Sequence, residues 1–356
     1  MKVLLAVSGG IDSMYMLHRA PELFPGASFA VAHCNFSLRG EESDGDEAFV
    51  RDACSRLGVE CFVTRFDTIA YAAEHGVSVE MAARELRYAW FAALCSEHGF
   101  DTLATAHNAN DNAETLILNL LRGTGTKGMR GIPGGPRVTD AGVASRDRGR
   151  PWPREWEGPA PAGVGGMSEA KSSGGNTCAV QPGPPLIMRP LLGTSREEIR
   201  KWMESNGRSW REDRTNAENE AKRNKIRNQV FPVFAEINPS FIRTLGADME
   251  RIRQTDDIAE DYYRDAASRI VREGNEGTME IGVRGLLELK HWRYVLWRIL
   301  EDCSFSAETF DKLCTLLERY RTEPSGTVTL SGKRFESSTH VLRARKKQLI
   351  LQIREA

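Results

Sequence analysis

Two short polar stretches of the chain contain residue types that bind phosphate and transfer protons. The first is Ser8-Gly9-Gly10-Ile11-Asp12-Ser13, and the second is AHNANDNAE at residues 106–114. Two glycines in a turn let backbone N–H groups point at an anion, and a helix that follows at about Ser13 adds the positive end of its dipole. The first stretch therefore predicts a phosphate-binding turn, with a purely structural turn as the alternative.

The phosphate turn lacks the lysine that follows the loop G-x-x-x-x-G-K-[ST] of kinases and of enzymes that hydrolyse a γ-phosphate. It contains Asp12 instead, and this carboxylate would repel phosphate unless a cation lay between them. A carboxylate together with a triphosphate is a common way to hold Mg²⁺. The turn therefore predicts a nucleotide gripped through its pyrophosphate, with attack at the α-phosphorus, formation of an adenylate and release of pyrophosphate.

The second stretch follows an apolar strand-like run, where an α/β sheet places its ligands. Its candidate side chains are His107, Asn108, Asp111 and Glu114. Asp111 and Glu114 are three residues apart and share one face of a helix. Either carboxylate could act as a proton acceptor or bind a cationic group. Capping of the helix by Asn110 or Asp111 is the alternative.

Further candidates lie in neighbouring segments. Arg84 and Arg122 could supply positive charge to a triphosphate, and the alternative for each is a solvated arginine near a helix end. Glu80 begins a helix, where its carboxylate is a further acidic candidate for the site, with stabilisation of the helix dipole as the alternative. The histidines lack the spacing of a zinc site, so Mg²⁺ carried by the nucleotide is the only metal expected.

Alternating strand-like and helix-like segments must position these residues. Apolar runs of strand length occur at Val3–Val7, Phe29–Cys34, Glu60–Phe66 and Thr102–Ala106, and helical periodicity occurs at Asp44–Leu57 and Val79–His98. The alternation predicts an α/β fold with a doubly wound parallel sheet and helices on both faces. The loops at 8–13, 33–40, 67–80 and 107–112 should then face one site.

The rest of the chain predicts helices and then short strands. Thr194 and Glu197 form the pattern of a capping box, which predicts a helix over 194–206. Helical segments continue to about residue 322 and include an amphipathic one at 283–301. The runs GTVTLSG and QLILQI near the end predict short strands. Residues 133–186 are rich in Pro, Gly and Ser, which predicts a disordered insertion in preference to a functional flap.

Composition limits the class of protein. The 356 residues are 40% hydrophobic and 27% charged with a net charge of -1, so binding to nucleic acid must rely on local basic patches. Seven cysteines without a C-x-x-C pair argue against a disulfide framework. No apolar run approaches the ~18 residues that span a bilayer, and the start is too short for a signal peptide. We expect a cytoplasmic protein without a membrane role.

Several motifs together resemble one family. SGGIDS resembles the PP-loop of the ATP pyrophosphatase superfamily. Taken together, the motifs are similar to those of the tRNA(Ile)-lysidine synthetase family. They are AHCNFSLRG at 32–40, VEMAARELRYAWF at 79–91, ATAHNANDNAETLILNLLRGTG at 104–125, RPLL at 189–192, WREDRTN at 210–216 and RNKIRN at 223–228.

The resemblance implies a reaction in two steps. ATP adenylates the O2 of the wobble cytidine of isoleucine tRNA with a CAU anticodon, and the amine of L-lysine then displaces AMP. It implies ATP binding by Ser8, Gly9, Gly10, Ile11, Asp12, Ser13 and His33, with Asn35 nearby and Mg²⁺ at Asp12. It implies catalytic roles for Asp12, Arg84, His107, Asp111 and Arg122, lysine binding by Asp111, Glu114 and Glu80, and tRNA contacts from Arg223, Asn224 and Arg227. No iron–sulfur cluster or zinc is expected, and the oligomeric state stays open.

The expected division of the chain follows from the same resemblance. Residues 1–215 form a PP-loop catalytic domain that includes the insertion, 216–325 a helical region that contacts tRNA, and 326–356 a short strand-rich tail. Residues 189–227 contain eleven Lys and Arg against seven Asp and Glu, with Trp202 and Trp210 among them. Such a patch can bind phosphates and stack loop bases, although a solvated face is the alternative. Arg343–Lys347 is a second basic candidate, with a solvated turn as an equal alternative.

Two rival functions fit part of this pattern. A tRNA thiolase of the same superfamily would replace the cytidine oxygen with sulfur, but it usually needs paired cysteines, and the sequence has no C-x-x-C. A non-catalytic module would bind ATP or tRNA without releasing pyrophosphate. The intact Ser-Gly-Gly-x-Asp-Ser turn argues against that second alternative.

Overall fold

The structure is a computed structural model that describes residues 1–134, 137–139, 142–144, 185–212, 222–323, 327–345 and 347–354. The chain divides into two compact units, Met1–Ile252 and Arg253–Ala356. The predicted disordered insertion at 133–186 lies for the most part outside the described residues, and so does the end of WREDRTN. The predicted functional division at 215 and 325 stays a prediction.

A parallel sheet forms the centre of the first unit. Its strands are β1 (Lys2–Ala6), β2 (Ser28–Asn35), β3 (Cys61–Arg65), β4 (Thr102–Ala104) and, after a small hairpin of β5 (Arg137–Thr139) and β6 (Gly142–Ala144), β7 (Leu186–Met188). The order across the sheet is β3-β2-β1-β4-β7. Val3, Leu4 and Leu5 in β1 are fully buried, as expected of a central strand covered on both faces.

Helices cover both faces of this sheet. The helices of the chain up to Ile270 are α1 (Ile11–His18), α2 (Ala20–Leu23), α3 (Glu41–Leu57), α4 (Thr68–His75), α5 (Val79–His98), α6 (Ala109–Arg122), α7 (Thr126–Met129), α8 (Arg196–Ser205), α9 (Lys222–Lys225), α10 (Phe231–Ile237) and the long α11 (Phe241–Ile270), which from Arg253 onward belongs to the second unit. A π-helical turn at Ile226–Val230 joins α9 to α10. Side chains of α1, α3 and α8 pack on one face, and those of α5 pack on the other. The predicted doubly wound α/β fold is confirmed.

The second unit joins helices to an antiparallel sheet. Its strands are β8 (Val271–Glu273), β9 (Met279–Gly282), β10 (Arg334–Glu336), β11 (His340–Arg345) and β12 (Gln348–Ile353), in the order β10-β11-β12-β9-β8. Its helices include α12 (Val283–Glu288), α13 (Trp292–Leu300) and α14 (Ala307–Thr322), with 3₁₀ turns at Asn275–Gly277 and Glu301–Cys303. Leu286, Leu296, Leu317 and Leu349 are fully buried in its core.

Three local predictions need correction. The amphipathic segment 283–301 is two helices, α12 and α13, and not one. Leu286 and Trp292 would point about 120° apart on a single helix, whereas the break lets both side chains enter the same core. GTVTLSG is not a strand in its described part; it is irregular, with Leu330 buried and Gly332 at a φ of +81° in a turn. QLILQI is confirmed as β12.

The third correction concerns the start of α8. Ser195 caps this helix, with its Oγ accepting from the Glu198 N–H at 3.2 Å and its own N–H donating to Glu198 Oε2 at 2.7 Å. The predicted pair of Thr194 and Glu197 is therefore wrong by one residue. The Thr194 N–H donates to the Leu191 carbonyl and its carbonyl accepts from Ala109, so the chain enters the helix one residue later.

No helix in the described ranges is long and apolar enough to cross a membrane.

The position of the cap leads to a stability prediction. Ser195→Ala removes the side-chain acceptor of the capping box and should lower the free energy of unfolding by about 1 kcal/mol. Thr194→Ala is the matched control and should change it by less than about 0.5 kcal/mol. Urea unfolding of the full chain measures both. Equal effects of the two variants would contradict the observed cap.

Candidate functional site

The phosphate turn is organised around the Ser13 hydroxyl. Ser13 Oγ accepts from the N–H groups of Ser8 at 3.1 Å and Gly9 at 3.2 Å, and it donates to the Gly10 carbonyl at 2.9 Å. Gly9 has a φ of +95°, a conformation that favours glycine. Among the described residues, no side chain caps α1, so its first N–H groups remain available to an anion.

Arg211, in the segment that begins at Trp210, stabilises the phosphate turn. Its backbone N–H donates to the Gly9 carbonyl at 3.0 Å, and its Nε donates to Asp46 Oδ1 at 2.8 Å. Asp46 also accepts from Arg39 Nη2 at 3.0 Å. This contact joins the WRED segment to the turn, and no local pattern predicts it because the two segments are about 200 residues apart.

A cavity of about 380 Å³ opens at the carboxyl ends of β1, β2 and β4. Its lining includes Ser8, Gly10, Asp12, Ser13, Thr105, His107 and Asp111 at the polar end, and Ala32, Cys34, Phe36, Arg87, Tyr88 and Phe91 at the aromatic end. The Arg87 guanidinium lies 5.0 Å from the centre of the Phe36 ring. A polar end beside helix N-termini and an aromatic end suit a phosphate and a flat base.

Charged side chains of alternating sign run from the turn to α6, and we call this series the ion chain: Asp12, Arg196, Asp111, Arg227 and Glu114. Arg196 Nη2 lies 3.8 Å from Asp12 Oδ2 and 3.8 Å from Asp111 Oδ1. Arg227 Nη2 lies 3.7 Å from the same Asp111 oxygen. Arg227 also donates to Glu114 through two hydrogen bonds, of 2.8 and 3.2 Å.

Burial raises the pKa of the two carboxylates at the ends of the ion chain. Burial raises the pKa of Asp12, while Arg196 and the nearby Asn108 amide act in the opposite direction. Asp12 Oδ1 is buried and accepts no hydrogen bond from any residue that the structure describes. Glu114 is fully buried, and burial raises its pKa against the lowering effect of Arg227. An acceptor such as Asp12 Oδ1, beside an anion-binding turn, fits a cation.

Asp111 combines both roles that the sequence left open. Its Oδ2 accepts from the Asn108 N–H at 3.1 Å, and Asn108 Oδ1 accepts from the N–H groups of Asn110 and Asp111, which together form a capping box. Its Oδ1 faces Arg196 and Arg227. One oxygen therefore caps α6, and the other belongs to the ion chain.

The two predicted histidines occupy different surroundings. His107 lines the cavity, contacts Thr105 Oγ1 through Nδ1 at 3.0 Å, and has its pKa lowered by burial and by Arg189 to about 4. His33 is 3% exposed and donates from Nδ1 to the Val7 carbonyl at 2.8 Å, and burial lowers its pKa. The neighbouring Asn35 amide donates to Asp44 and Glu47.

Other predicted site residues lie outside the ion chain. Glu80, Arg84 and Arg122 are exposed, and within the described ranges none of them lines the cavity. The Arg84 guanidinium lies 5.0 Å from the centre of the Tyr88 ring. Arg223 Nη2 donates to Thr115 Oγ1 at 3.2 Å, and Arg227 is in the ion chain. Asn224 has a polar contact of its own. Their functional roles stay predictions.

Several site residues were missed. Arg196 is not part of a recognisable motif. Its position directly after the cap of α8 is the only signal for it in the sequence. Four lining residues belong to the motifs AHCNFSLRG and VEMAARELRYAWF, but their aromatic and cationic types also suit a core or a solvated surface; they are Phe36, Arg87, Tyr88 and Phe91.

Comparison with known families assigns both units. A family model of the PP-loop domain matches residues 1–152 and 157–234. A family model of the TilS substrate binding domain matches residues 274–354. The two matches together cover most of the chain.

Individual relatives agree with the family models. A Bacteroides thetaiotaomicron protein named tRNA(Ile)-lysidine synthase is 36% identical over 276 residues, which are 76% of this chain and 52% of that protein. A Chlorobaculum tepidum protein of the same name is 34% identical over 339 residues, 91% of this chain and 86% of that protein. The chain thus spans about half the length of the first relative and most of the second.

One solved structure is also similar. It is titled U34-tRNA thiolase NcsA from Methanococcus maripaludis with its [4Fe-4S] cluster. Its TM-score is 0.49 at 16% identity, and the match covers 71% of this chain and 72% of that chain.

The surroundings of His107 lead to a pH prediction. With a pKa of about 4 in the folded chain against 6.5 for an ordinary histidine, His107 stays neutral at pH 7. Between these two values only the unfolded chain binds the proton, so His107 should lower the free energy of unfolding as the pH falls from about 6.5 to about 4. Imidazole NMR measures the titration directly, with His107→Gln to assign the signal. A His107 signal that titrates near pH 6.5 would contradict this burial.

Proposed function

The chain belongs to the tRNA(Ile)-lysidine synthase family of PP-loop proteins, and from this premise we propose that it attaches lysine to the wobble cytidine of isoleucine tRNA with a CAU anticodon. In the first step the cytidine O2 attacks the α-phosphorus of ATP, and pyrophosphate leaves. In the second step the side-chain amine of L-lysine attacks C2 of the adenylated base, and AMP leaves. The enzyme is thus a ligase that forms a carbon–nitrogen bond.

The observation that carries the proposal is the buried, unpartnered oxygen of Asp12 in a turn whose helix lacks a side-chain cap. Such a turn can receive the pyrophosphate unit of ATP, and the free Asp12 oxygen can bind the Mg²⁺ that accompanies the nucleotide. A γ-phosphate transferase would need a lysine after the turn, and the sequence has none there. The turn therefore supports adenylation in preference to γ-phosphate transfer.

The cavity supports nucleotide binding in a definite orientation. With the phosphates at the turn, the base points to the aromatic end, where Phe36 and Arg87 can stack on it and Ala32 leaves space for it. His33 would then lie behind the base and hold the end of β1 through Val7. Arg84 and Arg122 are proposed to approach the triphosphate or the leaving AMP when tRNA is bound.

The ion chain supports the lysine step. Asp111 Oδ1 lines the cavity side of α6, where the ammonium group of lysine can replace one of two arginine partners. The amine must lose a proton before it attacks, and Asp111 is the nearest proposed acceptor. Neutral His107 can accept a hydrogen bond from the same amine. Glu114 is paired with Arg227 and is proposed to position that guanidinium. Glu80 stays a candidate for lysine binding.

The remaining parts of the chain suit a tRNA substrate. Arg223 and Asn224 belong to the basic patch at 189–227 and lie close to α6, so phosphates bound there would approach the ion chain. Arg345 in β11 is exposed, and Arg343 in the same strand is half-buried, within the region that matches the substrate binding domain. A tRNA-modifying enzyme of this kind is expected in the cytoplasm.

The first functional prediction concerns the overall reaction. We expect the purified chain, supplied with ATP and Mg²⁺, to incorporate labelled lysine into unmodified isoleucine tRNA with a CAU anticodon and to release AMP and pyrophosphate. A methionine tRNA with the same anticodon is the control substrate for selectivity. Transfer of sulfur in place of lysine would favour the thiolase, and ATP binding without pyrophosphate release would favour a non-catalytic module.

The second functional prediction concerns Asp12. Asp12→Asn should slow pyrophosphate release by roughly a hundredfold or more, the loss typical when a group that stabilises transition-state charge is removed. Because burial disfavours the charged form of Asp12, the neutral asparagine should leave the thermal unfolding midpoint unchanged or higher. Asp52→Asn, at an exposed site on α3, is the matched control. Unchanged pyrophosphate release in Asp12→Asn would refute its role with the metal.

A further inference from the structure

Arg196 is fixed by its backbone at the junction of three helices. Its N–H donates to Asn110 Oδ1 at 3.0 Å, and the preceding Thr194 carbonyl accepts from the Ala109 N–H at 2.9 Å. The Ser195 cap sets the direction in which α8 leaves this point. The side chain of Arg196 therefore starts from a defined position beside the first turn of α6.

The guanidinium of Arg196 is held less tightly than its backbone. It lies 3.8 Å from Asp12 Oδ2 and 3.8 Å from Asp111 Oδ1, which are distances for ion pairs and not for hydrogen bonds. Arg227, by contrast, is anchored to Glu114 by two hydrogen bonds. Arg196 is also more exposed, at 31% of its side chain against 20% for Arg227. Of these two cations, Arg196 is the one that can move.

The two carboxylates beside Arg196 are proposed to bind different substrates. Asp12 faces the Mg²⁺-ATP complex, and Asp111 faces the lysine ammonium group. Each substrate therefore brings a positive charge to a carboxylate that Arg196 already neutralises. Because one guanidinium serves both carboxylates, a change at one of them must affect the other.

We propose that Arg196 is a positioning residue that couples the nucleotide site to the lysine site. This inference rests on the proposed function. In the free chain, Arg196 competes with the lysine ammonium group for Asp111. When Mg²⁺ takes over Asp12, the guanidinium of Arg196 turns to the negatively charged phosphates, and Asp111 becomes available. Lysine therefore binds well only after the nucleotide, which matches the order of the two reaction steps.

Arg196→Met and Arg196→Lys test the coupling. The contacts to Asn110 and Ala109 use only backbone atoms of Thr194 and Arg196, so neither substitution removes their donors or acceptors, and thermal unfolding of both variants checks that they fold. Arg56→Met removes an exposed guanidinium paired with Asp52 on α3 and is the matched control. The measurement is binding of labelled lysine at equilibrium dialysis, with and without Mg²⁺ and a non-hydrolysable ATP analogue. Calorimetry measures the affinity for the analogue itself.

The unaltered chain and Arg56→Met should bind lysine about tenfold more tightly with the analogue than without it, a coupling within the usual allosteric range. In Arg196→Met the ratio of the lysine affinities with and without the analogue should fall below about twofold, because lysine then binds Asp111 without competition from Arg196. The analogue itself should bind about tenfold more weakly to this variant. Arg196→Lys should retain part of the coupling. A merely structural role would weaken both ligands together and leave the ratio unchanged.

The outcomes separate this inference from the proposed function. Coupling that persists in Arg196→Met, or that is absent from the unaltered chain, overturns the inference even when lysidine forms. Coupling that is lost in Arg196→Met supports it, whether or not the tRNA assay yields lysidine. An unaltered chain that binds no lysine at all overturns both proposals.

Discussion

The need to neutralise buried carboxylates governs the arrangement of this site. Asp12 and Glu114 stand at the two ends of the ion chain and are withdrawn from water, which penalises their charged forms. Arg196 and Arg227 compensate these charges, and Asp111 lies between the two guanidinium groups. Removing either arginine would leave an uncompensated carboxylate, and such a loss is costly in a protein interior. The site therefore behaves as a unit and not as separate residues.

Three helices begin close together beside these carboxylates. Helices α1 and α6 start where β1 and β4 end, because parallel strands direct their carboxyl ends to one edge of the sheet. Helix α8 joins them through the bond between the Arg196 N–H and Asn110. The N-termini provide positive partial charges, while Asp12 and Asp111 stand in the first turns and provide negative ones. The edge can thus receive an anion and a cation next to each other.

Asp111 shows why capping and chemistry need not exclude one another. A carboxylate has two oxygens, and the capping box uses Oδ2. That bond fixes the orientation of the side chain, so that Oδ1 is presented to the arginines. A residue used only for capping could turn both oxygens to the helix end or to water. The cap thus orders the group that we propose for lysine binding before any substrate arrives.

The sequence by itself determined the α/β class, the phosphate turn, the helix Val79–His98 and the polar stretch after β4, because periodicity, glycine turns and strand ends are local features. It also indicated the family, since several motifs occur in order. Only the tertiary structure decided that Arg196 joins Asp12 to Asp111, that Arg227 pairs with Glu114, and that Arg211 supports the turn. These contacts link segments about 85 to 200 residues apart. No local pattern distinguishes an arginine that stays solvated from one that folding brings to a buried carboxylate. The shift of the cap from Thr194 to Ser195 and the break between α12 and α13 have the same cause, because the surrounding core and hydrogen bonds choose between local alternatives of similar energy.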